Sequence, residues 1–116
     1  MAFRSKYEDI IADAPSEAKA KEREILQKSA DLLRAASEPD GDPLLAIEAL
    51  HFTSRIWTVF LSDLAKPDNQ LPVQTRASLI SIGIAILKEV DLNRSEGSRK
   101  FNDIVELTEI IMDGLK

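Results

Sequence analysis

The stretch "SRIWTVFLSDLAKPDNQLPVQTRASLISIG", residues 54–83, decides the fold. It holds the only tryptophan, three basic residues and two prolines. Apolar residues crowd around Trp57 and again after Leu79, and "KPDNQLP" (66–72) separates the two runs. Pro67 lacks the N–H that a helix interior needs, while Pro72 suits a first helical turn. One helix therefore ends near Lys66 and the next begins near Pro72. The stretch is the corner of a helical hairpin.

Turning round the first of these helices at about 100° per residue reveals an excess of apolar surface. One meridian carries Leu50, Trp57, Leu61 and Leu64, with Phe60 beside it, and a second carries Leu45, Phe52, Ile56 and Val59. Only the strip Glu48, His51, Arg55 and Ser62 is left for water. The next helix is alike, with Val73, Ile80, Ile84 and Leu87 on one face and Leu79, Ile82, Ile86 and Val90 on another. Gly83 lets a neighbour come close. The plain account places both helices at the centre of a bundle. The sharper account is that four short helices leave part of this surface uncovered, as a docking groove. Because aromatic residues are common anchors, the Trp57 side is expected to border that groove, with the opposite apolar side supplying the core.

Working outward, the rest of the chain is helical by periodicity, with no clean β alternation and 5% aromatic residues. Helices are expected over about 16–37, 43–66, 72–90 and 98–115. The first has a thin, alanine-rich stripe that includes Ile25, Leu26, Leu32 and Leu33. A short N-terminal helical arm, 1–15, carries Phe3, Tyr7, Ile10, Ile11 and Ala14 at helical spacing before Pro15. At 116 residues the chain is one domain's worth, so the expected fold is all-α, a compact antiparallel bundle of about four helices in a single domain.

Composition excludes several kinds of chemistry. There is no cysteine, so disulfides, thiolate nucleophiles and Cys-based metal sites drop out. Net charge is −5, which argues against direct nucleic-acid binding. No signal peptide and no 18-residue apolar run stand out, so a cytoplasmic protein off the membrane is expected. His51 with Glu48 makes one Glu-x-x-His, half of a di-iron signature whose second histidine does not exist. Asp40, Gly41 and Asp42 fit a helix cap better than a calcium loop, whose remaining ligands are missing. No serine has a triad partner and no glycine-rich phosphate loop occurs, so neither a catalytic site, a metal nor a cofactor is expected. At the corner, Asp63 and Arg76 lie on apolar meridians at adjoining helix ends and are expected to pair, with Asn69 bonding free backbone groups.

These residues resemble a known family. Arg55-Ile56-Trp57-Thr58-Val59-Phe60, Asp63-Leu64, Asn69-Gln70-Leu71-Pro72 and Arg76-Ala77-Ser78-Leu79-Ile80-Ser81-Ile82-Gly83 are similar to the flagellar biosynthesis regulator FlaF family of alphaproteobacteria. "REIL" at 23–26 and the overall length extend the likeness. The resemblance implies a flagellar assembly factor that binds flagellin as an export chaperone and regulates its synthesis, in a role like the chaperone FliS. Alternatives are a regulator of flagellin mRNA acting through a protein partner such as FlbT, and a self-association module. Apolar surface and shared motif together put forward Leu50, Arg55, Trp57, Phe60, Leu61, Leu64, Asn69, Leu71 and Arg76 for partner contact.

Overall fold

A computed structural model describes the backbone of residues 15–38 and 41–114 and the side chains of 20–38 and 41–113. The expected arm, 1–15, lies outside the described residues except for its last residue, Pro15, which opens the first helix. Four helices follow: α1 (Pro15–Ala36), α2 (Pro43–Leu64), α3 (Val73–Glu96) and α4 (Asn102–Gly114). No strand occurs among the described residues.

Local chemistry sets the ends. Asp42 is extended and its carboxylate accepts the Leu44 N–H at 2.9 Å, with Pro43 behind it in the first turn of α2. At the far end the Ala65 N–H donates to the Leu61 carbonyl at 3.0 Å, and the helix stops before Pro67. Gly97 closes α3 in the left-handed region, φ 64°, and Ser98 N–H donates back to the Asn93 carbonyl at 3.1 Å.

Two boundaries differ from expectation. α3 runs on to Glu96 rather than ending near Val90, because "DLNRSE" contains neither Gly nor Pro to stop it. Asn93 is accommodated inside the helix, its amide donating to the Glu89 carbonyl at 2.8 Å. α4 consequently begins at Asn102, not near Ser98, and residues 98–101 form the connection. There Arg99 Nη1 donates to the carbonyls of Glu38 (3.0 Å) and Gly41 (2.9 Å), tying the α3–α4 and α1–α2 connections together.

The helices pack in a ring: α1 on α2, α2 on α3, α3 on α4 and α4 on α1, an antiparallel bundle. Leu26, Leu33 and Ala36 of α1 meet Leu50 and Trp57, Ile86 and Val90, and Phe101, Ile104, Val105, Ile111 and Met112 in one core. Three hydroxyl residues, Ser29, Thr53 and Thr108, are buried at its centre. Each donates within its own helix, to the carbonyls of Leu26 (2.8 Å), Ala49 (2.8 Å) and Ile104 (2.7 Å). They therefore ask nothing of their neighbours across the core.

α2 corrects another expectation, because by length and composition it is apolar enough to cross a membrane. Its charges are few, and Glu48 and Arg55 are diluted by the apolar residues around them. Core helices of bundles pass the same test, and α2 packs between α1 and α3. Yet only 22% of its most apolar 18-residue window is buried. The fold uses only part of this helix's apolar surface.

α2 and α3 approach closely at Gly83. A Cβ there would stand 2.8 Å from Trp57 Cε3 and 2.9 Å from Leu61 Cδ2, below any ordinary contact. Alanine normally gains about 1 kcal/mol over glycine inside a helix, whereas overpacking against a buried ring costs about 1–3 kcal/mol. Gly83→Ala is therefore expected to bring no stabilisation and to destabilise the protein by up to about 2 kcal/mol in urea denaturation. A stabilised variant would show that α2 and α3 have room to part.

Candidate functional site

The Trp57 meridian is the inside of the bundle, which reverses the expected assignment. Trp57 is 2% exposed, and Leu50 and Leu64 are also buried. Phe60 is half-buried and meets the indole edge-on, centroids 5.4 Å apart and planes at 86°. Leu61, also half-buried, lies with Trp57 against Gly83. The physical reason is the glycine itself. It removes the side chain that would hold α3 away, and the largest residue of α2 fills the space. The indole N–H is buried and, among the described residues, donates to no acceptor, so its contribution there is packing.

The second meridian of α2 turns toward α1. Lys28 of α1 lies over the Phe52 ring, Nζ 5.1 Å from its centroid, while Leu45 and Ile56 are half-buried against the core. The thin α1 stripe thus covers more than its own apolar residues would, because a lysine stem and ammonium lie across the aromatic face.

Asn69, Leu71 and Arg76 gather at the α2–α3 corner. Asn69 Nδ2 donates to the Asp63 carbonyl (3.0 Å) and its Oδ1 accepts the Leu71 N–H (3.0 Å), the backbone role expected of it. Asp63 is 6% exposed with Lys66 Nζ 3.8 Å from Oδ1, and Arg76 Nη1 donates to the Lys66 carbonyl at 3.3 Å. Lys66 and the backbone carbonyls thus take part in bracing the corner. Arg55 stands apart, exposed on the outer side of α2 with Glu48, His51 and Ser62.

Among the described residues no helix packs on the outer side of the α2–α3 pair. Gly83 against Trp57 and Leu61 shows which side of α3 faces α2. Moving outward from that contact by about 60–120° on each helix reaches Ser54, Ile47 and Thr58 on α2 and Ile80, Val73, Ile84 and Ala77 on α3. Ile47 is 65% exposed, Val73 73% and Ile84 44%, while Leu61, Ile80 and Leu87 are half-buried between them. Thr58 spends its hydroxyl on the Ser54 carbonyl at 2.8 Å, which turns its polar atom away from this strip. The result is an apolar face two helices wide, on rigid elements. Val73, Ile80, Ile84 and Leu87 were legible as a face of their helix, but Ile47 was missed because it lies off both apolar meridians of α2.

A second concavity, of about 350 Å³, lies between α1 and α4 near Leu33, Phe101 and Val105. Arg34 spans it, bonded to Asp31 (3.3 Å) and Glu109 (3.2 Å), and it is the more polar of the two surfaces. Among the described residues no group of three His, Asp or Glu side chains could hold a metal ion.

A protein-family model described as flagellar protein FlaF matches residues 3–115, nearly the whole chain. No characterised protein and no solved structure gives a match.

Core and surface readings of Trp57 separate by substitution. Trp57→Ala is expected to cost about 3–5 kcal/mol, as for other buried aromatics. Trp57→Phe keeps most of the ring and gives up only an N–H that bonds no acceptor among the described residues, so it should cost less than half as much. Thermal or urea unfolding of the pair checks this. Equal, small effects would place the indole outside the core.

Proposed function

The chain belongs to the FlaF family of flagellar proteins, and from that we propose that it binds flagellin in the cytoplasm before export, acting as a chaperone and through it on flagellin synthesis. The binding surface in this reading is the outer α2–α3 face. The observation that carries it is the exposure of Ile47, Val73 and Ile84 on a face that two packed helices hold rigid. Amphipathic helices bury one apolar stripe against such a face, anchored at intervals of three, four and seven residues. Ile80, Ile84 and Leu87, three and four residues apart, offer the matching holes on α3. Flagellin's terminal helices are amphipathic and polymerise when left bare, so a cover of this kind would keep them monomeric.

The site differs from the one centred on Trp57. Trp57, Leu50 and Leu64 support the face from beneath, and Leu61 lies at its inner edge. Asn69, Leu71 and Arg76 hold the corner from which both helices of the face depart. Arg55 borders the face on its α2 side. The role needs no catalytic group, metal or cofactor.

Purified protein and flagellin from the same organism, mixed at tens of micromolar, are expected to co-elute in size-exclusion chromatography. Ile47→Asp with Ile84→Asp should weaken the complex by about 2 kcal/mol or more, roughly thirty-fold, as for an interface hot spot. Because Ile47 is 65% exposed and Ile84 44%, the protein should still fold cooperatively, with the melting temperature lowered by a few degrees at most. A double variant that still co-elutes at full strength would remove the face from the proposal, and failure of the unmodified protein to bind would remove flagellin.

A further inference from the structure

We infer that the α2–α3 face selects amphipathic helices whose polar flanks are acidic. This rests on reading that face as the flagellin site, and it names the chemistry of the segment bound there.

The charges around the face carry the argument. The chain as a whole is at −5. Arg55 stands exposed on the α2 border and Lys88 on the α3 border, with Arg76 at the corner end. Among the described residues no carboxylate lies within ion-pair distance of Arg55 or Lys88. At the other end Asp91 and Arg94 pair with each other at 3.7 Å and cancel. The remaining α3 acids, Glu89 and Glu96, lie toward the α4 side, and Glu48 sits one step beyond Arg55, at the outer margin. Negative charge collects instead on α4, where Asp103, Glu106, Glu109 and Asp113 are all exposed. An acidic protein therefore flanks its apolar face with two exposed cations, Arg55 on α2 and Lys88 on α3, while Asp91 at its far end is matched by Arg94.

A helix laid along this face brings its own polar flanks against Arg55 on one side and Lys88 on the other. Acidic flanks complete those cations, and basic flanks repel them, so charge sets which helices are admitted. Nucleic acid is the less fitting ligand, because the face has no exposed aromatic for base stacking and its centre is aliphatic. An anionic membrane draws on clusters of about four to eight basic residues, more than this border supplies. The bound length follows from the face: residues 47–61 of α2 span about 21 Å, which suits a partner helix of about 15 residues.

Two designed peptides of about 18 residues test this, sharing one Leu/Ala stripe and carrying either Glu or Lys on both flanks. Fluorescence anisotropy with the full chain is expected to show the Glu-flanked peptide binding roughly ten-fold tighter at about 50 mM salt, with the gap narrowing toward two-fold at about 500 mM. Arg55→Glu with Lys88→Glu should invert the preference. Lys21→Glu with Lys100→Glu makes the same charge change on exposed sites elsewhere and should leave it intact. Equal affinities, a preference for the Lys-flanked peptide, or an unchanged preference in the Arg55/Lys88 variant would overturn the inference. So would displacement of the Glu-flanked peptide by phosphatidylglycerol vesicles or single-stranded RNA at comparable concentration. Light scattering that shows a concentration-dependent oligomer dissolved by Glu106→Lys would give the face to a second copy's acidic α4, and also overturn it. If the Glu-flanked peptide binds as expected while flagellin does not, the charge selectivity stands and the flagellin reading falls.

Discussion

The contact between the Trp57 ring and the bare backbone of Gly83 is the constraint from which the rest of the arrangement follows. It brings α2 and α3 closer than any other residue at position 83 would permit, and it turns the largest apolar side chain of the protein inward. Once that ring is inside, the faces of both helices are assigned. Leu50 and Leu64 follow Trp57 into the core, and Ile86 and Val90 follow Gly83. The corner is tied to match, since the Asn69 amide joins the end of α2 to the start of the next segment and Arg76 reaches back to the Lys66 carbonyl. The two helices thus behave as one wall, and a face on that wall is pre-organised rather than assembled by loops.

The second consequence falls on α1. A helix with a thin apolar stripe has to cover the other apolar meridian of α2, and it does so partly with Lys28 over Phe52. That leaves a bundle whose α1–α2 side is closed by an amphipathic side chain and whose α2–α3 outer side, among the described residues, has no helix packed over it. The surplus of apolar surface noted in the chain is real, but it lies about a quarter-turn away from where the tryptophan would put it.

Much of the fold was legible because punctuation residues act locally. Asp42 with Pro43 starts α2 and Pro67 follows its end, and these hold whatever the tertiary context. The end of α3 was less legible because "DLNRSE" is polar enough to resemble a loop, while the residue that stops the helix, Gly97, lies beyond it. The face was legible only in part. A helical wheel shows how many apolar meridians a helix has, not which one is inside. That choice is made by the partner, and the deciding signal was Gly83, in the same hairpin as Trp57. Taken together, a lone glycine amid apolar residues and a lone tryptophan one helix earlier mark a ring seated on a backbone. Taken separately, the tryptophan suggests a surface anchor.

The exposed isoleucines then require an explanation that folding does not supply. Burial stabilises by roughly 25 cal/mol for each Å² removed from water, so a side chain like Ile47, 65% exposed, recovers only a minor part of what it could contribute. Scattered exposed apolar residues are ordinary, and Leu44 or Ile110 taken alone would need no account. Ile47, Val73, Ile80 and Ile84 are different because one contact, Gly83 on Trp57, aligns them on the same side of two locked helices. Such alignment gives the folded monomer nothing that four scattered apolar side chains would not. It gives a partner helix a continuous apolar track with cations along its edges. The same wall that hides the tryptophan therefore creates the face to which we assign the proposed docking.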